Sequence, residues 1–506
     1  MAPAMSKGPR SLERLWMVLL AVTAGVLLLA GLGGHSLWQD EAQTALIAQT
    51  VLDHGIPMGT DGRNHFGQEQ GVEYGEDGIW KWHTWLSFYL VAASFAALGT
   101  DAFAARLPFA LAGVATVLLT FVVARELFRD RLVALASAGM LAVSVPFLLL
   151  QRQCRWYGLT APLVLAGILA YQRIGASRRA GWWLLASTTL LFHAHFLYAA
   201  MLLATLLAHA AVCERERLRP TALVAAGVSL LCLPWVVWFS SIRVGADYAA
   251  RLADLGDTGW AAGSYAGMLL EHGLAGGAFL AIPQLLMLHR RLRGERVVAV
   301  RRDTWSALAL IGIACAVHVI ALALLGPGVA FRYLAPLLPL VFLAVGLWMA
   351  GLLRAAPVLG VAVLTVWIAT GRLADFAYEL THDYDDPIEG IVAHLRERAR
   401  EDDVVAIVYG DLPVKFYTGL RVIGGLTGEG LSQARDADWI VLRRHDVAPQ
   451  VEAIRETLKR YLDLAPYRCV EIPYPDIPFA NREDPRLHRF RTAEGVPGVI
   501  VCERVD

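Results

Sequence analysis

The chain is poor in charge. Only 18% of its 506 residues are Asp, Glu, Lys or Arg, against 56% hydrophobic, and a soluble domain of that length carries a larger charged surface. Net charge is zero, so no basic excess marks a nucleic-acid partner. The six cysteines (Cys154, Cys213, Cys232, Cys315, Cys469, Cys502) are scattered without a C-x-x-C, which removes zinc ribbons and thioredoxin-like motifs. Low-complexity tracts and internal repeats are missing too. What the chain does have is long apolar runs, and these predict a polytopic α-helical membrane protein.

The first run, about Leu15 to Gly33, is long enough to span a hydrocarbon core of about 30 Å. It is too long for a signal-peptide core and lacks a small-residue cleavage site, so it is expected to stay as an anchor. Lys7, Arg10 and Arg14 before it put the amino terminus in the cytoplasm and residues from 35 onward outside. The first outer loop, 35–105, holds a short amphipathic helix (41–53), an irregular acidic stretch (Asn64–Gly78) and an apolar segment (85–98). Charge decides how 85–98 lies. Flat in the interface, it leaves Arg125, Arg129 and Arg131 inside with every later arginine cluster; crossing, it would put them outside.

Further spans are predicted near 106–124, 132–150, 158–172, 182–192, 197–212, 220–240, 275–289, 304–325, 334–352 and 355–371, about eleven with the first. The arginine-rich turns at 125–131, 173–179, 215–219, 290–302 and 354 then all face the cytoplasm. After Gly371 the composition becomes charged and proline-rich. Strand-like runs at Val404–Tyr409, Trp439–Leu442, Cys469–Ile472 and Val499–Val501 alternate with helical patterns at 388–400 and 449–462. Residues 1–371 thus read as a membrane domain and 372–506 as an outer-face α/β domain.

Two adjacent carboxylates, Asp40 and Glu41, stand where the first helix leaves the membrane. Acidic residues favour a helix's first turn for electrostatic reasons alone, so the pair is either a helix start or a catalytic centre; we read Asp40 as the catalytic carboxylate. The outer side should be poor in basic residues, yet it carries Arg106, Arg152, Arg155, Arg243, Arg251 and Arg332, with Tyr157 and Tyr333 beside two of them. Forked guanidinium groups suit a phosphate or pyrophosphate, and long arginines also snorkel to lipid headgroups. His193 and His195 share an outer turn, where they line a cavity or, on extended backbone, hold a metal. Cys469 and Cys502, on candidate outer strands, could form a disulfide or stay free.

Several short motifs occur in a fixed order: Trp38-Gln39-Asp40-Glu41, Ala105-Arg106-Leu107-Pro108, Arg125-Glu126-Leu127-Phe128, Arg155-Trp156-Tyr157-Gly158-Leu159 and Arg332-Tyr333-Leu334-Ala335-Pro336. Over about 1–371 this set resembles the GT-C fold glycosyltransferases of family 39, which include protein O-mannosyltransferases and the lipid A aminoarabinose transferase. The resemblance implies a polyprenyl-phosphate sugar as donor and transfer at the outer membrane face to an envelope acceptor. It makes Asp40 the base, assigns Arg106, Arg155 and Arg332 to the lipid phosphate, and puts Lys81 in the place of a family lysine, without the proline that often follows. One carboxylate base suits an inverting displacement. Glu41, next in sequence, points elsewhere on a helix, towards a metal or an orienting contact. A divalent metal in an assisting role, with His83 also near the site, stays open. So does a transporter or flippase of lipid-linked sugars, although transporters put polar groups at mid-membrane and here they sit at the outer ends. A scaffold whose outer domain binds a partner would leave the outward arginines unexplained.

Overall fold

The computed structural model describes residues 10–238, 258–273, 282, 302–325, 328–445 and 449–505. Lys7, Arg243, Arg251, the span expected over 275–289 and most of the 290–302 cluster lie outside these residues. Five helices among them are long and apolar enough to cross a bilayer: Leu12–Leu29 within α1 (Arg10–Leu29), α4 (Ala102–Phe128), Arg215–Trp238, Arg302–Leu325 and Phe331–Ala355. Two bent pairs, α5 (Arg131–Ala142) with α6 (Val145–Gln151) and Pro357–Thr370 with Leu373–Glu379, make seven if each is one span. The remaining difference from eleven has a plain origin. Three expected spans form helices of 16 or 17 residues, α7 (Tyr157–Gln172), α8 (Arg178–Ala194) and α9 (Phe196–Val212). The fourth is 275–289.

The span expected over 132–150 is broken rather than straight. Its halves meet at 64°. Pro146, in the first turn of α6, has no N–H to continue the ladder of α5. On α1, Val18, Val22 and Val26 form an exposed apolar stripe, as a lipid-facing helix requires.

Ion pairs mark one end of the bundle. Glu13 meets Arg125 at 3.0 Å and Arg131 at 2.8 Å, Glu126 meets Arg173 at 2.9 Å, and Asp130 meets Arg354 at 2.6 Å. Three of the arginine clusters assigned to the cytoplasm, 125–131, 173–179 and 354, therefore include residues gathered at a common end. Each such half-exposed pair contributes about 0–1 kcal/mol, so their value here is topological.

The other end carries α2 (Gln39–His54), α3 (Leu86–Leu98), the irregular loop between them and the C-terminal sheet. At 13 residues α3 is about 20 Å long, too short to cross, and fits the interfacial placement. The short helix expected over 41–53 forms as α2, but where an amphipathic pattern would leave one face open it is buried at every position from Gln39 to Ala48. Membrane helices close over one side of it, and helix Asp411–Thr418 packs on another, with Leu412 in the shared core. Gly55 ends α2 with φ +76°, a left-handed conformation that costs glycine little.

The C-terminal sheet has strand order β2-β1-β3-β5-β4: β1 (Val404–Ile407), β2 (Arg421–Gly424), β3 (Trp439–Leu442), β4 (Tyr467–Pro475) and β5 (Gly498–Arg504). β1 pairs in parallel with β2 and β3, while β5 runs antiparallel to β3 and β4. Strand residues alternate faces. Val405, Ile407 and Val441 pack on Ile388, Ile391 and Leu395 of helix Pro387–Arg398. Ala406 and Ile440 pack on Val451, Ile454 and Leu458 of helix Pro449–Leu462. Cys469 and Cys502 are register partners on β4 and β5, and they form a disulfide. Such bonds persist in oxidising compartments.

Candidate active site

Helix geometry separates the two carboxylates. Neighbouring helical residues point about 100° apart, so Asp40 and Glu41 cannot serve one site. Glu41 is the third helical residue and accepts from the Trp38 N–H at 3.4 Å, closing the first turn of α2. It then turns into the seam with α4. There it accepts Arg106 Nε at 2.8 Å and Nη2 at 2.6 Å, the Cys154 N–H at 2.7 Å and Asn481 Nδ2 at 3.2 Å.

Arg106 donates its other N–H groups to the carbonyls of Leu32 (3.0 Å), His35 (2.8 Å) and Ser36 (2.9 Å). All five guanidinium donors are thus occupied, and the side chain is buried. This corrects the expectation for Arg106, which has no N–H left for a lipid phosphate, and of the two alternatives expected for Glu41 the structure shows the orienting contact. Arg152 works similarly, donating to the carbonyls of Leu27, Leu28, Ala30 and Gly31 where α1 ends. A cation there suits the negative end of a helix. Together the two arginines fix how the chain leaves the membrane and enters α2.

Asp40 faces the opposite way, into a cavity of about 230 Å³ also lined by Gln68, Glu73, His83, Arg155, Trp156, His195, Arg332 and Tyr333. Arg332 Nη1 lies 2.9 Å and Arg155 Nη2 3.5 Å from Asp40 Oδ2, while Gln68 Nε2 donates to Oδ1 at 3.2 Å. Arg155 Nη1 also donates to the Asp40 carbonyl, Gln43 Oε1 and Thr44 Oγ1, at 3.0 to 3.2 Å, which locks its fork against α2. Burial alone would raise the Asp40 pKa, but the Arg155, Arg332 and Arg482 charges and the Gln68 amide hold it below the usual carboxylate range.

The other predicted residues divide. Tyr333 lines the cavity, its ring 5.6 Å from the Arg332 guanidinium, whereas Tyr157 packs edge-on against Trp156 outside the lining. Lys81 is drawn away, its ammonium 3.0 Å from Asp77 on the loop's outer edge. His83 and His195 line the cavity, while His193 meets Trp235 edge-on with ring centroids 5.0 Å apart. Desolvation, with Arg155 and His195 nearby, pushes His83 well below its ordinary pKa, and its Nδ1 accepts from Trp80 Nε1 at 3.2 Å. A divalent metal does not fit this donor set. Asp40 is held by two arginines, His83 Nδ1 is occupied, and no cluster of three His, Cys, Asp or Glu suited to an ion occurs among the described residues.

Several residues at the site escaped sequence reading. The segment after β4 reaches over α2, where Gln153 Nε2 donates to Asn481 Oδ1 at 3.0 Å, Arg482 lies 4.4 Å over the Trp38 ring, and Glu483 Oε1 shares Arg332 Nη1 at 3.2 Å. Gln68 and Glu73 come from the irregular loop. A larger cavity, about 390 Å³, opens where the broken helices meet the C-terminal region. It is lined by Ser144, His272, Arg372 and Arg486 among others, and contains none of the predicted site residues.

Residues 82–238 match the family model described as dolichyl-phosphate-mannose-protein mannosyltransferase. No curated protein matches the sequence. Among solved structures, ArnT from Cupriavidus metallidurans in the apo state is 14% identical, with 98% of each chain covered and a TM-score of 0.60. The same enzyme bound to undecaprenyl phosphate is 11% identical, covering 97% of this chain and 98% of that one, with a TM-score of 0.53. The Archaeoglobus fulgidus oligosaccharyltransferase in the apo form is 13% identical, covering 91% of this chain and 70% of that one, with a TM-score of 0.56. The fold is GT-C, that of multi-pass membrane enzymes, with an α/β region at the C-terminal end.

Proposed function

We propose that this membrane glycosyltransferase of the GT-C fold transfers a sugar from a polyprenyl phosphate to a hydroxyl of an envelope acceptor at the outer membrane face. The observation that carries the reading is Asp40, a carboxyl group held between Arg155 and Arg332 in a cavity at the end of the bundle away from the arginine-rich turns. The likeness to an enzyme crystallised with undecaprenyl phosphate supports a lipid phosphate as the donor's carrier.

The chemistry follows from the charges. Arg155 and Arg332 neutralise the phosphate as the glycosidic bond breaks, and in a water-poor cavity preorganised donors of this kind stabilise the transition state strongly. Asp40 accepts the acceptor's proton as its oxygen attacks the anomeric carbon. A carboxylate whose pKa is held low is a weak base. Donor binding relieves this, because the phosphate draws the Arg332 guanidinium from Asp40, competes for the Arg155 charge, and so raises the proton affinity of Asp40 at the moment of need. With Glu41 committed to Arg106, Asp40 is the cavity-lining carboxylate paired to both Arg155 and Arg332, which suits a single inverting displacement.

The test is Asp40→Asn in the purified enzyme with a radiolabelled polyprenyl-phosphate sugar and envelope extract. Transfer should fall by about 10²–10⁴-fold, the share a positioned base supplies, with folding retained. Wild-type turnover in this variant would remove Asp40 as the base.

A further inference from the structure

Glu73 is buried at 1% exposure and lines the cavity of Asp40, yet the transfer chemistry leaves it without a role. Its two oxygens differ. Oε1 accepts the backbone N–H groups of Gln68 and Glu69, which folds the loop around the carboxyl. Oε2 is buried with no hydrogen-bond partner. A carboxyl oxygen buried without a partner is costly to the fold, so the position suits a hydrogen-bonding group from a ligand. Gly67 gives this oxygen its room, since a Cβ there would stand 2.8 Å from Oε2. Gln68 joins the two carboxyls, its backbone N–H on Glu73 and its side-chain amide on Asp40 at 3.2 Å.

The cavity is therefore lined by two kinds of polar group, the guanidinium groups of Arg155 and Arg332 and the carboxyl of Glu73 with its unpaired oxygen, with Trp82 and Trp156 among its walls. We propose that Glu73 is a specificity-determining residue that holds a hydroxyl of the donor's sugar while Arg155 and Arg332 hold the phosphate. This rests on the donor reading above. Sugar hydroxyls are the natural partner of a fixed carboxyl oxygen beside aromatic rings, and the distance from charge to carboxyl is bridged by a single residue, Gln68. Burial pushes the Glu73 pKa up to about 7, Glu69 adds to this and the backbone N–H groups of Gln68, Glu69 and Glu73 itself moderate it, so the carboxyl can accept or donate to such a hydroxyl near neutral pH.

The test measures dissociation constants by native mass spectrometry of the full chain in detergent. The probes are bare decaprenyl phosphate and decaprenyl phosphate carrying mannose, glucose or arabinose. Wild type should bind at least one sugar-bearing lipid about tenfold more tightly than the bare lipid. Glu73→Gln keeps an oxygen for the loop N–H groups and should erase that preference, leaving bare-lipid binding unchanged. Gly67→Ala, which pushes the carboxyl aside without altering its chemistry, should do the same. A preference intact in both variants, or no preference in wild type for any of the sugars, overturns the assignment. Wild type that fails to bind even the bare lipid overturns the donor reading and this inference with it.

Discussion

Replacing Arg106 should unfold the protein rather than disarm it. Its guanidinium gives two N–H groups to Glu41 and three to the carbonyls of Leu32, His35 and Ser36, and both charged side chains are buried. In Arg106→Leu, Glu41 keeps only neutral donors, the Cys154 N–H and the amides of Asn481 and Trp38. Removing one partner of a buried pair costs about 3–5 kcal/mol, and the orphaned carbonyls add to that wherever water cannot reach. Arg106→Lys retains the charge but offers three donors for five acceptor contacts. It should still cost about 2–3 kcal/mol, the value of one or two charged hydrogen bonds left unmade. Arg106→Leu combined with Glu41→Leu should recover much of the loss, because no unpaired charge stays buried. Unfolding by SDS titration in mixed micelles supplies the free energies, and decaprenyl phosphate binding to the folded fraction supplies the control. The folded fraction of Arg106→Lys should bind the lipid within about threefold of wild type. Wild-type stability with lost lipid binding would refute the reasoning and return Arg106 to the phosphate site.

Other consequences can be checked alongside. Arg155→Ala and Arg332→Ala should each weaken decaprenyl phosphate binding by about 10–100-fold, the value of a charge-assisted hydrogen bond pair; unchanged affinity in both would remove the phosphate site. Cys469→Ser opens a bridge between residues separated by 33 positions, and should lower stability by about 2–4 kcal/mol, an effect that reductant mimics in wild type and not in the variant. The Glu73 carboxyl, raised from an ordinary 4.5 to about 7, favours the folded state below its unfolded pKa, and that contribution is lost as pH rises through about 7. Glu73→Gln should therefore gain stability relative to wild type between about pH 5 and pH 8, and a difference that stays flat with pH would contradict the burial of this group.

How far the sequence speaks depends on which physical signal each residue leaves. Arg155 and Arg332 were legible because arginine on the outer side runs against the charge bias of membrane loops. Arg106 carries the same signal and a different fate. Hydropathy reports which side of the bilayer a guanidinium occupies, but not whether it turns to a cavity or to the carbonyls at a helix end. The separation of Asp40 from Glu41 was readable, because it needs only the helical period. The contributions of Asn481, Arg482 and Glu483 were not, since more than 400 residues separate them from α2 and nothing periodic marks them. Gln68 and Glu73 sit in an irregular loop whose shape is set by backbone contacts to the Glu73 carboxyl itself. In the C-terminal region, β2 and helix Asp411–Thr418 escaped notice because both are short and bounded by glycines. The strands bearing Cys469 and Cys502 were legible, but their pairing required the antiparallel register of β4 and β5.

The central claim is that a lipid phosphate belongs between Arg155 and Arg332, beside Asp40. The direct measurement is a cryo-electron microscopy map of the protein in nanodiscs with decaprenyl phosphate. The account predicts phosphate density within about 3 Å of both guanidinium groups, the length of a charge-assisted hydrogen bond, with the isoprenoid tail leaving towards the bilayer. Phosphate density in the larger cavity at Arg372 and Arg486 instead, with Arg155 and Arg332 still closed on Asp40, would contradict it.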